Sequence, residues 1–214
     1  MKLLKEHLYN QYLRFTENGD PIEDMGIGLK SRIEEWLKNA GINDYRFTKK
    51  FSINVYHTTL LSDKGFTDFP VYIKFNHISG GFHCDNNELT SLKGGPYSVT
   101  GSFMCSYNNL KDLQFGPRVV KQSYGASYNN LKSLEGIAEI IGESLYINNN
   151  ELSTLEYIPS IIKGNLSICS NPITTLQYFP KEVYGDIHYS PSQILSETTI
   201  KNKCKVKGNI IKEI

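Results

Sequence analysis

Eight residues recur almost unchanged at a distance of 21: "SYNNLKDL" over 106–113 and "SYNNLKSL" over 127–134. The register runs on in both directions. Leu89, Leu110, Leu131, Leu152 and Ile173 keep this spacing, as do Leu92, Leu113, Leu134, Leu155 and Leu176. A third apolar column holds Phe82, Phe103, Tyr124, Leu145 and Leu166, and a fourth holds Cys84, Cys105, Ala126, Ile147 and Ile168. A fifth closes each unit with Ile78, Val99, Val120, Ile141, Ile162 and Val183. Pro96, Pro117, Pro159 and Pro180 mark one turn, with Ala138 as the exception. Five copies fill 78–183, and a decayed sixth follows near "YGDIHYSPSQI". A fixed period of this length marks a solenoid, in which no unit buries its apolar face alone.

The period is too short for two helices per unit. Phe103 and Cys105 alternate with Ser102, Met104 and Ser106, the signature of a short strand with one face inward. The unit therefore predicts one strand, a tight turn and an extended return that accommodates the prolines. Stacked copies give an α/β repeat solenoid with a parallel sheet on one face. Asn87, Asn108, Asn129, Asn150 and Asn171 stand where the chain leaves each strand. An amide both donates and accepts, so this column is a structural ladder bonding the backbone of its own turn and of the adjoining coil.

Both ends of a strand stack need caps. Residues 1–50 read as a helical N-terminal cap. Leu4, Leu8, Tyr12 and Phe15 lie on one face of a first helix, "ENGDP" breaks it, and a second helix turns Ile33, Trp36 and Leu37 inward before Gly41 stops it. Residues 51–77 read as an irregular first strand and coil, with Phe51, Ile53 and Val55 alternating with polar neighbours. Residues 184–214 hold the degenerate repeat and a β-type C-terminal cap. There Lys201, Lys203, Lys205 and Lys207 alternate with Asn202, Cys204 and Val206, as in an edge strand guarded by lysines. A small basic patch for phosphate is the alternative for these lysines.

Little chemistry is visible. A net charge of +1 provides no global field for nucleic acid, and no apolar run reaches membrane-spanning length. Four cysteines without paired spacing suit free thiols in a cytoplasmic, reducing compartment. "GLKS" at 28–31 lacks the upstream glycine of a phosphate loop. His83 and Cys84 adjoin on a strand and so face opposite sides, which leaves no metal pair. Cys84 and Cys105 share an inward column, whereas Cys169 falls on the outward side, with no base beside it. No catalytic set, cofactor or metal is expected.

What remains is the outward face. Its columns are small and polar, rich in serine, with a few large residues. The candidate protein-binding residues are His83, Met104, Tyr107, Tyr128, Tyr146, Asn148 and His188. Two readings stand side by side: a solvated sheet face, or a contact patch in which tyrosine and methionine bring large area on a small-residue background. Tyr157 and Tyr178 stack one period apart on the returns and read as packing.

The unit resembles the leucine-rich repeat, in its short bacterial form with proline after the second leucine. More closely, "GGFHCDNNELTSLKGGP" (80–96), "GSFMCSYNNLKDLQFGP" (101–117) and the lead-ins "DPIEDMGIGLKSRIEEWL" (20–37) and "KGFTDFP" (64–70) resemble a group of proteins from large tailed bacteriophages. The resemblance covers most of the chain. It implies a phage origin, a place in the cytoplasm of an infected bacterium, and no defined activity. The expectation is a non-enzymatic interaction module that binds a bacterial host protein through a concave sheet face, with inhibition as one consequence. No membrane partner is expected, and the repeat fixes no oligomeric state. Alternatives are a nucleic-acid-associated protein, through the tail lysines, or a structural component of the virion. An enzyme ranks last: about 30 residues follow the last full repeat, too few for an appended catalytic domain.

Overall fold

Each unit closes into one coil that carries two short strands rather than one. The computed structural model describes residues 23–213. The chain enters through helix α1 (Glu23–Asn39), then β1 (Tyr45–Phe47) and β2 (Ile53–Val55). There follow β3 (Thr59–Leu60), β4 (Phe75–Ile78), β5 (Phe82–His83), β6 (Ser98–Val99), β7 (Phe103–Met104), β8 (Val119–Val120) and β9 (Tyr124–Gly125). Next come β10 (Ile140–Ile141), β11 (Leu145–Tyr146), β12 (Ile161–Ile162), β13 (Leu166–Ser167), β14 (Glu182–Val183) and β15 (Ile187–Tyr189). Helix α2 (Glu197–Lys203), β16 (Lys205–Val206) and β17 (Ile210–Lys212) complete the described chain.

The odd-numbered strands β3 to β11, then β13, β15 and β17, make one eight-stranded sheet, each strand parallel to the next. The closing apolar column makes the second wall. There β1, β2, β4, β6, β8 and β10 form a six-stranded sheet, and β12, β14 and β16 a separate three-stranded one. This second series corrects the expected sheet on one face. Val99 and Val120 are buried while Ser98 and Val119 face outward, but two residues of alternation are too few to show a period of 2. Their ladder comes from the adjoining coils: the Arg118 N–H donates to Tyr97 O at 2.9 Å and the Lys121 N–H to Val99 O at 3.1 Å.

The solenoid also extends beyond the 21-residue register at both ends. Val55 pairs with Ile78 and Thr59 with Phe82; Val183 pairs with Val206 and Ile187 with Ile210. Each of these offsets is 23 residues, so the outer coils fall out of a search at 21. Thr59 hides the first coil further, being a buried polar residue in an apolar column.

Between the walls the columns stack into one core. Phe82 and Phe103 stack with centroids 5.8 Å apart and planes at 11°, and Phe103 meets Tyr124 at 5.1 Å. Leu89, Leu110, Leu131, Leu145, Leu152 and Leu166 are fully buried. Each such side chain contributes about 1.5–3 kcal/mol relative to an exposed one, and only neighbouring coils make that burial available.

At the N-terminal end, α1 buries Ile33 and Leu37 and sets Trp36 against Phe66 and Phe75, at 6.0 and 6.2 Å. Gly41 stops it at φ +79°, with the Ile42 N–H donating to Leu37 O and the Gly41 N–H to Lys38 O. That is the left-handed glycine ending in which the last carbonyls find donors. The stretch expected to be helical to residue 50 instead adds β1, antiparallel to β2, because Tyr45 and Phe47 can pack on one side of it. The expected first cap helix, with Leu4, Leu8, Tyr12 and Phe15, lies outside the described residues.

The C-terminal cap also differs. Lys201 and Lys203 lie on α2, not on an edge strand. Ser196 caps that helix by accepting from the Thr199 N–H at 3.2 Å, while the Thr199 hydroxyl accepts from the Ser196 N–H at 2.9 Å. This reciprocal cap outweighs the apparent alternation of lysines. Only Lys205 keeps a strand position, and with Lys207 it pairs to Glu182, at 3.2 and 3.4 Å. Among the described residues no helix is long and apolar enough to cross a membrane.

Candidate functional site

Two polar ladders frame the eight-stranded sheet. In the first, each asparagine amide joins two coils. Asn129 donates to Cys105 O at 3.0 Å and Ala126 O at 3.2 Å, and accepts from the Leu110 N–H at 3.0 Å. Asn108, Asn150 and Asn171 repeat the pattern in their own coils, and Asn87 meets the irregular first coil by accepting from Lys64 and Phe66.

The second ladder has no counterpart in the sequence reading. Ser144 Oγ accepts from the Asn165 N–H at 2.9 Å, Asn165 Oδ1 from Asp186 at 2.8 Å, and Asp186 Oδ1 from Asn209 at 2.6 Å. Ser102 and Ser123 do the same at 3.4 Å. The serines therefore fill this column because a short oxygen-bearing side chain satisfies the next coil's backbone N–H. The recurrence of Ser, Asn and Asp at a single register position was the available signal.

The candidate residues do not form one patch. His83 and His188 stand five rungs apart, about 24 Å at a strand spacing near 4.8 Å. His83 Nδ1 lies 4.0 Å from Asp85 Oδ2. Burial pushes the Asp85 carboxyl up, against the lowering effect of the Ser106 N–H and of His83. His188 Nδ1 sits 2.8 Å from Glu213 Oε1, tying the seventh rung to the eighth. Asn148 Oδ1 already accepts from Ser127 Oγ at 2.6 Å and Ser167 Oγ at 3.3 Å, so its carbonyl serves a cross-coil bridge.

A tighter group lies on the middle rungs. Met104 is laid over Gly125, where a Cβ would stand 2.6 Å from Met104 Sδ. Tyr146, half-buried, occupies the same column one rung further. At the strand exit, Tyr107 and Tyr128 stack with centroids 4.4 Å apart and planes at 7°. They remain 54% and 45% exposed. Both sit at φ +54°. The same column elsewhere holds Asp63, Asn86, Asn149 and Ser170, also at positive φ. Asp and Asn tolerate this left-handed region, whereas bulky residues rarely enter it, at a cost of about 1–2 kcal/mol.

Cys169 departs from its expected outward, accessible position. It is buried, with Sγ 4.0 Å from Ser167 Oγ, and burial pushes its thiol up from the ordinary value. Cys84 and Cys105 are fully buried, and their thiols are raised well above the ordinary range by burial. A neutral buried thiol is a poor nucleophile. Among the described residues no group of three or more His, Cys, Asp or Glu could hold a metal.

No family model, no curated protein and no solved structure matches the chain.

Proposed function

We propose that the chain is a non-enzymatic protein-binding module whose contact surface centres on Met104, Tyr107, Tyr128 and Tyr146 on the outward side of the eight-stranded sheet. One observation carries this reading: two bulky aromatic residues occupy left-handed backbone positions while standing about half exposed to solvent. Asparagine serves the same position elsewhere without that penalty, so the tyrosines are not explained by folding. Exposed aromatic side chains with a hydroxyl handle are enriched where proteins meet. On the repeat resemblance, the module is of the leucine-rich type, is phage-encoded, acts in the bacterial cytoplasm, and has a host protein as partner.

The test is a pull-down from bacterial lysate at moderate salt with mass spectrometry of the retained proteins. Two variants run in parallel, Met104→Asp/Tyr146→Asp and Tyr107→Asn/Tyr128→Asn, each verified as folded by circular dichroism. One protein enriched on the parent chain and lost on both variants supports the reading. The same proteins on all three chains, or none on any, removes it.

A further inference from the structure

The adjoining wall of the solenoid turns a row of aliphatic side chains outward, the first half-buried and the other two exposed. Val119, Ile140 and Ile161 hold equivalent places on β8, β10 and β12, each beside an inward residue that is buried. Ile140 is 55% and Ile161 50% exposed. A solvated sheet face normally turns polar residues outward, and aliphatic rows belong on faces that another element covers. The same column is polar on either side of this run, with His77 and Ser98 before it and Glu182 and Lys205 after it.

Charge brackets the row. Arg118 and Lys181 stand on one flank and Lys121 and Lys163 on the other, all exposed. Glu139 is held by Arg118, and Glu182 by Lys205 and Lys207. The face thus sets six cations against two acids, on a chain whose net charge is +1. The seam between the six-stranded and three-stranded sheets falls between β10 and β12, directly under Ile140 and Ile161.

We propose that this face docks an amphipathic α-helix of a partner protein, with an apolar stripe flanked by Asp and Glu. Consecutive rungs lie about 4.8 Å apart, close to the helix pitch of about 5.4 Å. Side chains at successive turns of such a helix meet Val119, Ile140 and Ile161 in order, and acidic positions on one side of it fall over Lys121 and Lys163, beside the first and last of these residues. An extended strand repeats its face every ~6.6 Å and falls out of step. Among the described residues no free helix suits the face, and the charge of the preceding segment is wrong for it. Residues 1–15 surround their apolar residues with Lys2, Lys5 and Arg14 against Glu6 alone, and Ile33 and Leu37 of α1 are already buried in the core. This surface is separate from the tyrosine patch, and its test does not depend on that patch.

The probe is a fluorescein-labelled synthetic peptide of roughly 18 residues, long enough to hold helix once docked, with leucines alternately three and four residues apart, one per turn, and glutamates flanking them. A second peptide carries lysines in place of the glutamates. Binding is read by fluorescence anisotropy against the full chain and against Ile140→Asp/Ile161→Asp. Both replaced side chains are exposed; should that variant fail to fold, Lys121→Glu/Lys163→Glu takes its place. The expected result is binding of the acidic peptide alone, weakened by salt and reduced at least about tenfold in the variant. Equal binding of both peptides, unchanged binding by the variant, or no binding at ~1 mM overturns the proposal. So does binding of phosphatidylserine vesicles or single-stranded RNA that the variant loses while the peptide fails, since the face would then serve a lipid or a nucleic acid.

Discussion

Replacing Asn129 with alanine removes a buried rung from the middle of the asparagine ladder. Asn129 is buried between coils, and its Oδ1 is the acceptor that the structure gives the Leu110 N–H, at 3.0 Å. The carbonyls it serves keep other donors: Cys105 O has Asn108 at 3.1 Å, and Ala126 O has Asn150 at 3.0 Å. The loss therefore concentrates on one orphaned buried amide, about 1–3 kcal/mol, plus about 1 kcal/mol for the bonds themselves. A destabilisation near 3 kcal/mol is expected, read by urea unfolding followed by circular dichroism. The corresponding melting shift is about 6–12 °C. Asn171→Ala is the control. It makes the same contacts, with 3.1 Å from the Leu152 N–H, but is only half-buried, so water can replace part of what is lost. Asn129→Asp sharpens the test. One carboxylate oxygen still accepts from Leu110, while the other faces the Cys105 and Ala126 carbonyls. Burial and those carbonyls favour the protonated acid, so its folded-state pKa lies above the unfolded value of about 3.9. The folded form then holds the proton more tightly, and the penalty is smallest at low pH and grows as pH rises through the folded pKa. An Asn129→Ala cost below about 1 kcal/mol, a cost equal to that of Asn171→Ala, or a pH-independent Asn129→Asp would refute the ladder as a source of stability.

Three further outcomes are expected. Tyr124 is fully buried and its hydroxyl has no hydrogen-bond partner among the described residues, so Tyr124→Phe should raise stability by about 1 kcal/mol in the same unfolding assay. Tyr107→Gly and Tyr128→Gly each exchange left-handed strain of about 1–2 kcal/mol for a lost stack of about 0.5–1.5 kcal/mol, so unfolding midpoints should stay within a few degrees of the parent; a large loss would mean the stack is structural. Asp85 has a raised pKa, mainly through burial, so its contribution to stability is full below the unfolded value and falls as pH rises through the folded one. Asp85→Asn, which keeps an oxygen for the Ser106 N–H, should remove that fall and leave the chain more stable at neutral pH, measured by melts across pH 3 to 7.

The inner wall was legible because its columns obey one rule five times over. Phe82 to Leu166 and Leu89 to Ile173 differ in residue but not in burial, and repetition separates them from noise. The outer coils were hidden by a change of register from 21 to 23 residues, and α2 by lysines that mimic a strand. The second wall escaped because each of its repeat strands offers so little alternation, and its hydrogen bonds come entirely from other coils. Function is harder still to read, since a solenoid makes the same demand at every rung and only departures from that demand carry information. The left-handed column accepts Asp63, Asn86, Asn149 and Ser170, yet receives tyrosine at 107 and 128. A second left-handed column holds Gly94 and Gly136, yet receives Phe115 and Tyr157, both more than half exposed. The outward row of the second wall is polar at its ends, yet aliphatic at 119, 140 and 161. These residues bring large apolar area to the surface at register positions where other coils hold glycine, asparagine or a charged residue, and such departures are what a docking surface on a repeat would look like.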